Sequence, residues 1–489
     1  MGLFYDFNTE TFKGVLSVLY LITIMFVSLM IIFENRSPVK TLSWVMVVLL
    51  VPFIGILIYV FFGQEYRKRK IFSRKGLKNF ERFAEDATIQ IRSIGTFLND
   101  ESEAVKDKEH LMKLMLNNNK AILTKSNQIE VLIDGDQTFP AMMNSIRDAR
   151  KFIHMQFYRL DFDDLGREFI SVLMEKAESG VEVRIIFDDV GSWSFPNSTL
   201  KKMKSAGVEI FPFLPVRFPL FTNKINFRNH RKIMVIDGTH GYIGGLNIAR
   251  KYLFGLKELG KWRDTHLRID GEAVAALNSV FLIDWFFVSG SALTHLPEYS
   301  TVPGSGRSCL VQVASSGPDS DWASIMQVYF SAIATARHSI FISTPYFSPD
   351  ESILTALKTA SLSGVEIRLL IPVRADSAIA HWNSLSYISE LLDAGVRVFL
   401  YKKGFNHSKY MIVDGVFSIV GSANLDMRSF ELNFEVTALV YNEKFANKMM
   451  AVFGNDIRNS EQILPEEWEN RKRSWRYKES LSRILGPLY

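Results

Sequence analysis

A nine-residue run occurs twice in the chain, and this duplication restricts the possible folds more than any other feature. Residues 229–237 read NHRKIMVID and residues 406–414 read NHSKYMIVD, so both contain the pattern His-x-Lys-x4-Asp. A glycine follows each histidine after fourteen positions and an asparagine follows after seventeen: Gly244, Asn247, Gly421 and Asn424. Two chance matches of this length in one chain are very improbable, so we interpret them as copies of one functional element.

Other repeated segments show how large the duplicated piece is. Residues 179–185 (SGVEVRI) recur as 363–369 (SGVEIRL), an offset of 184 residues. A period of this size is typical of a tandem domain and not of a solenoid. Both segments contain β-rich runs that follow amphipathic stretches, an order that indicates α/β layers. The sequence therefore predicts two tandem α/β sandwich lobes that form a pseudo-dimer, at residues 118–300 and 301–460.

The six motif residues are the catalytic candidates: His230, Lys232, Asp237, His407, Lys409 and Asp414. If each motif lies on a strand, its histidine and lysine point to the same face, because side chains alternate along a strand. The aspartate has the opposite parity at the strand end, where a structural role is expected.

Two such faces brought together suit a phosphodiester. The lysines Lys232 and Lys409, together with the amides of Asn247 and Asn424, could compensate the charge on phosphoryl oxygens, a task that metals perform elsewhere. One histidine could attack phosphorus while the other acts as general acid and base. The repeat is symmetric, so the residues alone do not decide which histidine attacks. We expect no metal and no cofactor, and the single Cys309 excludes a cysteine-built zinc site.

The N-terminal part, residues 1–66, reads as a membrane anchor. Residues 14–33 and 41–62 carry no charge and are each long enough to cross a bilayer as a helix. Basic residues are concentrated after the second segment, in a predicted juxtamembrane linker at 67–117: Arg67, Lys68, Arg69, Lys70, Arg74, Lys75 and Lys78. The positive-inside rule places the catalytic part in the cytoplasm. The same basic run could equally bind anionic lipid headgroups.

Three further segments bear on a lipid substrate. Phe211–Arg228 is an insertion relative to the second half, and its phenylalanines and prolines predict a loop that enters the bilayer interface or lines an acyl channel, or else a packed surface loop. Val280–Val288 is too short to span a membrane and reads as a core helix. The C-terminal segment 461–489 contains a basic amphipathic stretch, Trp468–Tyr489, that either lies on the membrane or is a solvated helix.

The paired motifs resemble the phospholipase D superfamily, and the full pattern resembles the bacterial cardiolipin synthases. The flanking blocks that carry the second resemblance are residues 35–38, 51–53, 242–248, 262–266, 344–347 and 421–435. The resemblance implies conversion of two phosphatidylglycerols to cardiolipin and glycerol in a bacterial cell membrane, with His230 as nucleophile and His407 as acid and base. It also implies that an acidic residue after each motif orients a histidine through its second nitrogen; these would be Asp264 and Glu435.

Two other classes of function are possible: hydrolysis of phosphodiesters with the same catalytic residues, and a scaffold that has no catalytic activity. A hydrolase of membrane phosphodiesters would need only water in place of the acceptor alcohol. A nuclease would favour dense basic patches, whereas the net charge of +5 is mild, and no nucleic-acid partner is expected. A membrane-bound scaffold without catalysis would not require two intact motifs. The expected partners are phosphatidylglycerol, cardiolipin and an anionic membrane, and the oligomeric state stays open.

Overall fold

A computed structural model describes residues 9–33, 38–51, 53–59, 78–216, 223–291 and 308–485. Its contacts divide the chain into two units, of which one comprises residues 1–74 and 216–225 and the other comprises the rest. In the first unit, helices α1, α2 and α3 span Thr9–Phe33, Pro38–Leu50 and Ile54–Ile58.

Of the described residues, one helix, Phe12–Phe33, is long and apolar enough to cross a membrane. The second predicted span, 41–62, is not established. Helix α2 ends at Leu50, shortly before the proline at position 52, and a residue that precedes proline disfavours helical geometry. Residue 52 and residues 60–62 of the predicted span lie outside the described residues, as does the basic run 67–75.

Part of the predicted linker 67–117 belongs to the folded core. Helices α4, α5 and α6 span Lys78–Phe97, Glu103–Lys106 and Glu109–Asn118. Leu111, Met112 and Met115 of α6 are fully buried in one cluster with Val328 and Ile333 of the second lobe. The interpretation of this part as a linker is therefore wrong, because the apolar face of α6 packs in the core of the second lobe.

The first lobe contains one half of a fifteen-stranded sheet, in the order β4-β3-β2-β5-β6-β8-β1. The strands β2, β3 and β4 are parallel and the others antiparallel. The strands β1 to β8 span Thr124–Ile133, Phe152–Phe157, Glu182–Asp188, Glu209–Phe213, Ile233–Ile236, His240–Gly244, Lys261–Arg263 and Thr265–Gly271. The helices α7 to α11 span Asp134–Asp148, Asp164–Glu178, Asn197–Ser205, Lys251–Phe254 and Ala273–Ser289.

The second lobe repeats this arrangement with the order β13-β12-β10-β15-β16-β18-β9, and β19 extends its edge. The strands β9 to β19 span Ser308–Ser316, Ser339–Ser343, Phe347–Ser348, Glu366–Pro372, Arg397–Tyr401, Gly404–Asn406, Tyr410–Val413, Phe417–Gly421, Leu425–Asp426, Glu435–Tyr441 and Ser460–Gln462. The helices α12 to α19 span Ser324–Ala334, Glu351–Leu362, Ala378–Leu385, Ile388–Asp393, Met427–Glu431, Glu443–Arg458, Pro465–Glu469 and Arg473–Leu485.

The two halves of the sheet join where β1 pairs antiparallel with β9. Apolar side chains of both lobes, such as Ile233 in the first and Ile412 in the second, form one buried cluster between them. The predicted core helix is confirmed as α11, whose Phe281 and Trp285 are buried. The predicted tandem α/β lobes are thus present, and they share a central core.

The insertion Phe211–Arg228 begins as strand and not as loop. Phe211 and Phe213 lie in β4, and their rings contact Trp285 at 5.2 Å and Phe434 at 4.9 Å between centroids. Residues 217–222, where a membrane-directed loop was predicted, lie outside the described residues.

Candidate active site

Each motif histidine lies three residues before a strand at the centre of its lobe. The strands β5 and β15 cover only the apolar part of each motif, so the prediction that the strand begins at the histidine is wrong. An asparagine starts each motif with the same turn: the Asn229 side-chain oxygen accepts from the Arg231 N–H at 3.2 Å, and that of Asn406 accepts from the Ser408 N–H at 3.1 Å.

His230 and His407 line the same cavity, which has a volume of about 340 Å³. The backbone N–H of His230 donates to the Phe434 carbonyl at 2.9 Å, and that of His407 donates to the Arg263 carbonyl at 2.7 Å. Each histidine is thus held by backbone of the opposite lobe, which brings the two imidazoles to one pocket.

The acidic partners of the histidines are crossed between the lobes. His230 Nδ1 lies 2.9 Å from Oε1 of Glu435, and His407 Nδ1 lies 2.7 Å from Oδ2 of Asp264. Both carboxylates are fully buried. Since each Nδ1 has a carboxylate partner, Nε2 is the ring nitrogen left for a substrate in both histidines.

The glycines fourteen residues after the histidines allow backbone to approach closely. A Cβ built on Gly244 would lie 2.6 Å from the Cα of His266, and one on Gly421 would lie 2.4 Å from the carbonyl oxygen of Val436. No real side chain tolerates such contacts, so only glycine permits this packing beside the two carboxylates.

Lys232 and Lys409 lie behind the histidines and are almost completely buried. Their Nζ atoms donate to the carbonyls of His230 and His407, at 2.6 and 2.5 Å. Burial lowers the pKa of Lys232 to about 7 and that of Lys409 to about 8, although Glu435 and Asp264 oppose the shift. Neither lysine is among the residues that line the cavity, so each acts on a bound anion from behind the histidine of its motif.

Burial also shifts the pKa values of the two histidines and of their carboxylate partners. Burial lowers the pKa of His230 to about 4, with Glu435 opposing, and lowers the pKa of His407 well below its usual range, with the Lys409 charge adding to the effect. Burial alone would raise the pKa of Glu435, but the charge and hydrogen bond of His230 hold it below its usual value. For Asp264 burial prevails, and its pKa is raised.

The motif aspartates do not reach the cavity, so their place among the catalytic candidates is corrected. The Asp237 carboxylate accepts from the backbone N–H groups of residues 150–152, at 2.7 to 2.9 Å. The Asp414 carboxylate accepts from those of residues 337–339 and from Nζ of the buried Lys108, at 2.7 Å. Both aspartates join the end of the motif strand to the start of its neighbour.

Asn247 and Asn424 line the cavity, but their amides already have protein partners. The Asn247 Nδ2 donates to the Tyr252 hydroxyl at 2.6 Å, and the Asn424 Nδ2 donates to Asp426 at 3.0 Å. Each amide has two N–H bonds, so one of them is still available to an oxyanion.

Several lining residues were not found from the sequence motifs. They are aromatic or charged and surround the two histidines: Tyr158, Arg159, Arg228, Lys251, Tyr252, Tyr346, Asp376 and Arg428. Alignment of the two halves could have found two of them, because Lys251 and Arg428 occupy the same position of the repeat. Of the others, Tyr158, Arg159, Tyr346 and Asp376 follow the strands β2, β10 and β12, Tyr252 lies in α10, and Arg228 precedes the first motif.

The remaining described histidines do not line the cavity. His154 Nδ1 bonds the Asn278 side chain at 2.8 Å, and His240 Nδ1 contacts Asp270 at 2.6 Å. His110, His266, His338 and His381 are likewise elsewhere, whereas His295 is outside the described residues. In the described ranges no group of three or more His, Cys, Asp or Glu side chains could hold a metal ion.

Comparison with known proteins places this geometry in a family. A family model described as "Cardiolipin synthase, PLD-like domain" matches residues 142–285 and 329–457, and one described as "Phospholipase_D-nuclease N-terminal" matches residues 15–64. The chain is 41% identical over 488 residues to a cardiolipin synthase of Geobacillus sp. (strain WCH70), over 99% of this chain and 95% of that protein. It is 42% identical over 484 residues to one of Halalkalibacterium halodurans, over 97% and 94%.

A solved structure supports the fold. The phosphatidylserine synthase of Haemophilus influenzae Rd KW20 aligns with a TM-score of 0.59 at 17% identity, over 78% of this chain and 98% of that one. Two α/β lobes with paired histidine motifs define a protein of the phospholipase D superfamily. The family match and the identity along nearly the whole chain go further: the chain belongs to the cardiolipin synthase family. It is a membrane-associated phosphatidyltransferase with phospholipid substrates, and the predicted family is confirmed.

Proposed function

We propose that the protein joins two phosphatidylglycerols into cardiolipin and glycerol through a phosphohistidine. The observation that carries the proposal is the pair of imidazoles in one cavity, each with Nδ1 held by a carboxylate and Nε2 left for phosphorus. Two histidines with different tasks are what a two-step transfer requires, since one must hold the phosphatidyl group while the other moves protons.

In the first step His230 Nε2 attacks phosphorus of the donor lipid. Binding of the anionic donor raises the pKa of His407, so that its Nε2 takes up a proton. The N–P bond forms, the P–O bond to the headgroup glycerol breaks, and His407 Nε2 gives this proton to the departing oxygen. Two features support this assignment. The low pKa of Glu435 keeps a negative charge behind His230, which stabilises the positive ring of a phosphohistidine. The side chain of His230 is also the more open of the two, with 12% exposed against 8%.

In the second step a hydroxyl of the acceptor phosphatidylglycerol attacks the phosphohistidine. His407 takes the hydroxyl proton, the new P–O bond forms, and the N–P bond breaks to restore His230. Lys232 and Lys409, with the free amide hydrogens of Asn247 and Asn424, supply positive charge to the phosphoryl oxygens in both steps. Asp264 orients His407 and Glu435 orients His230.

The N-terminal part anchors this site to a bacterial cell membrane in our proposal. The family match over residues 15–64 supports two spans, at 14–33 and 41–62, and the basic residues that follow support a cytoplasmic catalytic part. Helix α19 supports a further contact with an anionic membrane. It exposes Tyr477, Leu481 and Ile484 on one face, each at least 63% exposed, while Trp475 packs on Trp382 at 5.6 Å.

Purified full-length protein in detergent micelles, given phosphatidylglycerol alone, tests the proposal. Cardiolipin and free glycerol in equal amounts are the expected products. His230→Ala and His407→Ala should each abolish turnover, whereas His240→Ala, which removes a histidine outside the cavity, should not. Phosphatidic acid as the main product would instead identify a hydrolase.

A further inference from the structure

Two cations at equivalent positions of the repeat line the cavity. Lys251 lies 21 residues after His230, and Arg428 lies 21 residues after His407. In the part of the chain that the structure describes, neither forms an ion pair with a carboxylate: Arg428 donates to the Asn226 carbonyl at 3.3 Å, and Lys251 lies over aromatic rings. A cation that faces a cavity without a carboxylate partner is open to an anionic ligand.

The surroundings of Lys251 favour such a ligand. Its Nζ lies 4.7 Å from the centre of the Trp262 ring and 5.5 Å from that of Tyr252. These ring faces stabilise the charge but leave the N–H bonds of the ammonium free. Burial lowers the pKa of Lys251, and the neighbouring Arg159 charge adds to the shift while Asp376 opposes it. An anion bound beside Lys251 would stabilise the charged form of the lysine, which burial disfavours.

Lys251 belongs to the His407 end of the cavity. The His407 ring lies 5.7 Å from Tyr252 and 6.0 Å from Trp262, the two aromatic groups that carry the Lys251 ammonium. Arg428 belongs to the other end of the cavity. Its charge opposes the rise that burial causes in the pKa of Tyr158, and the Tyr158 ring lies 5.2 Å from the His230 ring.

The proposed reaction brings two phosphodiesters to this cavity. One is the reacting group of the donor, which lies between the histidines. The second belongs to the acceptor lipid, and it has to lie at the end where His407 takes the hydroxyl proton. We propose that Lys251 binds the phosphodiester of the acceptor phosphatidylglycerol and so selects an anionic lipid over water or a neutral alcohol. This inference rests on the proposed function and on His407 as the base.

A competition between two acceptors tests it. Full-length protein in detergent micelles receives phosphatidylglycerol together with 1-butanol, and the ratio of cardiolipin to phosphatidylbutanol is measured along with glycerol release. A charge-assisted hydrogen bond lost from the acceptor lowers its use about 10- to 100-fold. Lys251→Gln should therefore lower the ratio by about that factor while phosphatidylbutanol still forms, which also shows that the variant is folded.

Three variants serve as comparisons. Lys251→Arg keeps the charge and should restore the ratio to within about threefold of the wild type. Lys113→Gln removes an exposed lysine on α6, outside the cavity, and should change nothing. Arg428→Gln removes the equivalent cation at the His230 end and should leave the ratio unchanged even where it slows both reactions.

The outcomes separate the two proposals. A wild-type protein that makes phosphatidylbutanol but no cardiolipin would refute the proposed function. If the wild type makes cardiolipin and Lys251→Gln keeps the wild-type ratio, the acceptor role of Lys251 is wrong. A selective loss of cardiolipin in Arg428→Gln would also overturn it, because the acceptor would then lie at the His230 end.

Discussion

Replacing Glu435 by glutamine removes one negative charge from behind His230 and changes little else in shape. The carboxylate lies 2.9 Å from Nδ1 and also accepts from Ser422 and from Asn433, which lies 3.3 Å away. At the 2.9 Å between Nδ1 and the carboxylate, two unit charges in an effective dielectric constant of about 20 attract by about 6 kcal/mol. The loss of a charge-assisted hydrogen bond alone costs about 3 kcal/mol at most. We therefore expect formation of the phosphohistidine to slow between about 10²- and 10⁴-fold.

The assay separates this step from the acid–base work of His407. A short-chain phosphatidyl-p-nitrophenol releases p-nitrophenolate, which leaves without a proton, so the first step needs the nucleophile but not the acid. In a stopped-flow experiment the wild type should release a rapid burst of one p-nitrophenolate for each active site, and Glu435→Gln should lose that burst.

Asp264→Asn is the matched control, because it makes the same change behind the other histidine, 2.7 Å from its Nδ1. This variant should keep the burst and then turn over slowly, since the acceptor is no longer deprotonated efficiently. The reasoning is refuted if Glu435→Gln retains a burst within tenfold of the wild-type rate, or if the two variants exchange their behaviour.

Two further predictions concern the charges around the site. Asp414→Asn should lower the free energy of unfolding by about 2 to 5 kcal/mol, because it leaves the buried Lys108 with only the longer contact to Asp107, at 3.4 Å. Asp237→Asn, which loses only backbone contacts, should cost about 1 to 3 kcal/mol. Chemical denaturation of both variants in detergent measures the difference, and equal losses would contradict it. In His230→Gln, binding of a short-chain phosphatidylglycerol should take up protons between about pH 7 and 9. The pKa of Lys232 is about 7 in the free protein, so the lysine is largely neutral at pH 8 and recovers its proton when an anion raises that pKa. Calorimetry in two buffers of different ionisation enthalpy measures the uptake, which should vanish near pH 6.

The repeat predicted the two lobes because it consists of local sequence patterns. Segments such as 179–185 and 363–369 combine a helix end with a buried strand, and these periodicities are visible in a single sequence. The position of His230 and His407 in one cavity followed from the same repeat, since equivalent motifs in a pseudo-dimer meet at its axis.

The contacts between lobes could not be predicted in the same way. The spacing of Asp264 and Glu435 from their motifs suggests that an acid follows its own histidine, yet each acid lies in the opposite lobe from the histidine that it contacts. Helix α6 was hidden for a similar reason. The carbonyl of Met112 accepts from the Gln312 side chain at 3.2 Å, a partner two hundred residues away, and no local pattern identifies such a contact.

The crossing of the acids makes each half of the site dependent on the other lobe. His230 donates its backbone N–H to the Phe434 carbonyl and has Glu435 beside its ring, so the first lobe alone holds neither partner. The second lobe alone would leave Glu435 buried without His230 and Lys232, which lower its pKa, and this is costly for an ionised carboxylate. Docking of the lobes therefore assembles both the charge balance and the two orientations of imidazole in one event. For this reason we expect substitutions in the core between the lobes, far from any substrate, to reduce both steps of the transfer together.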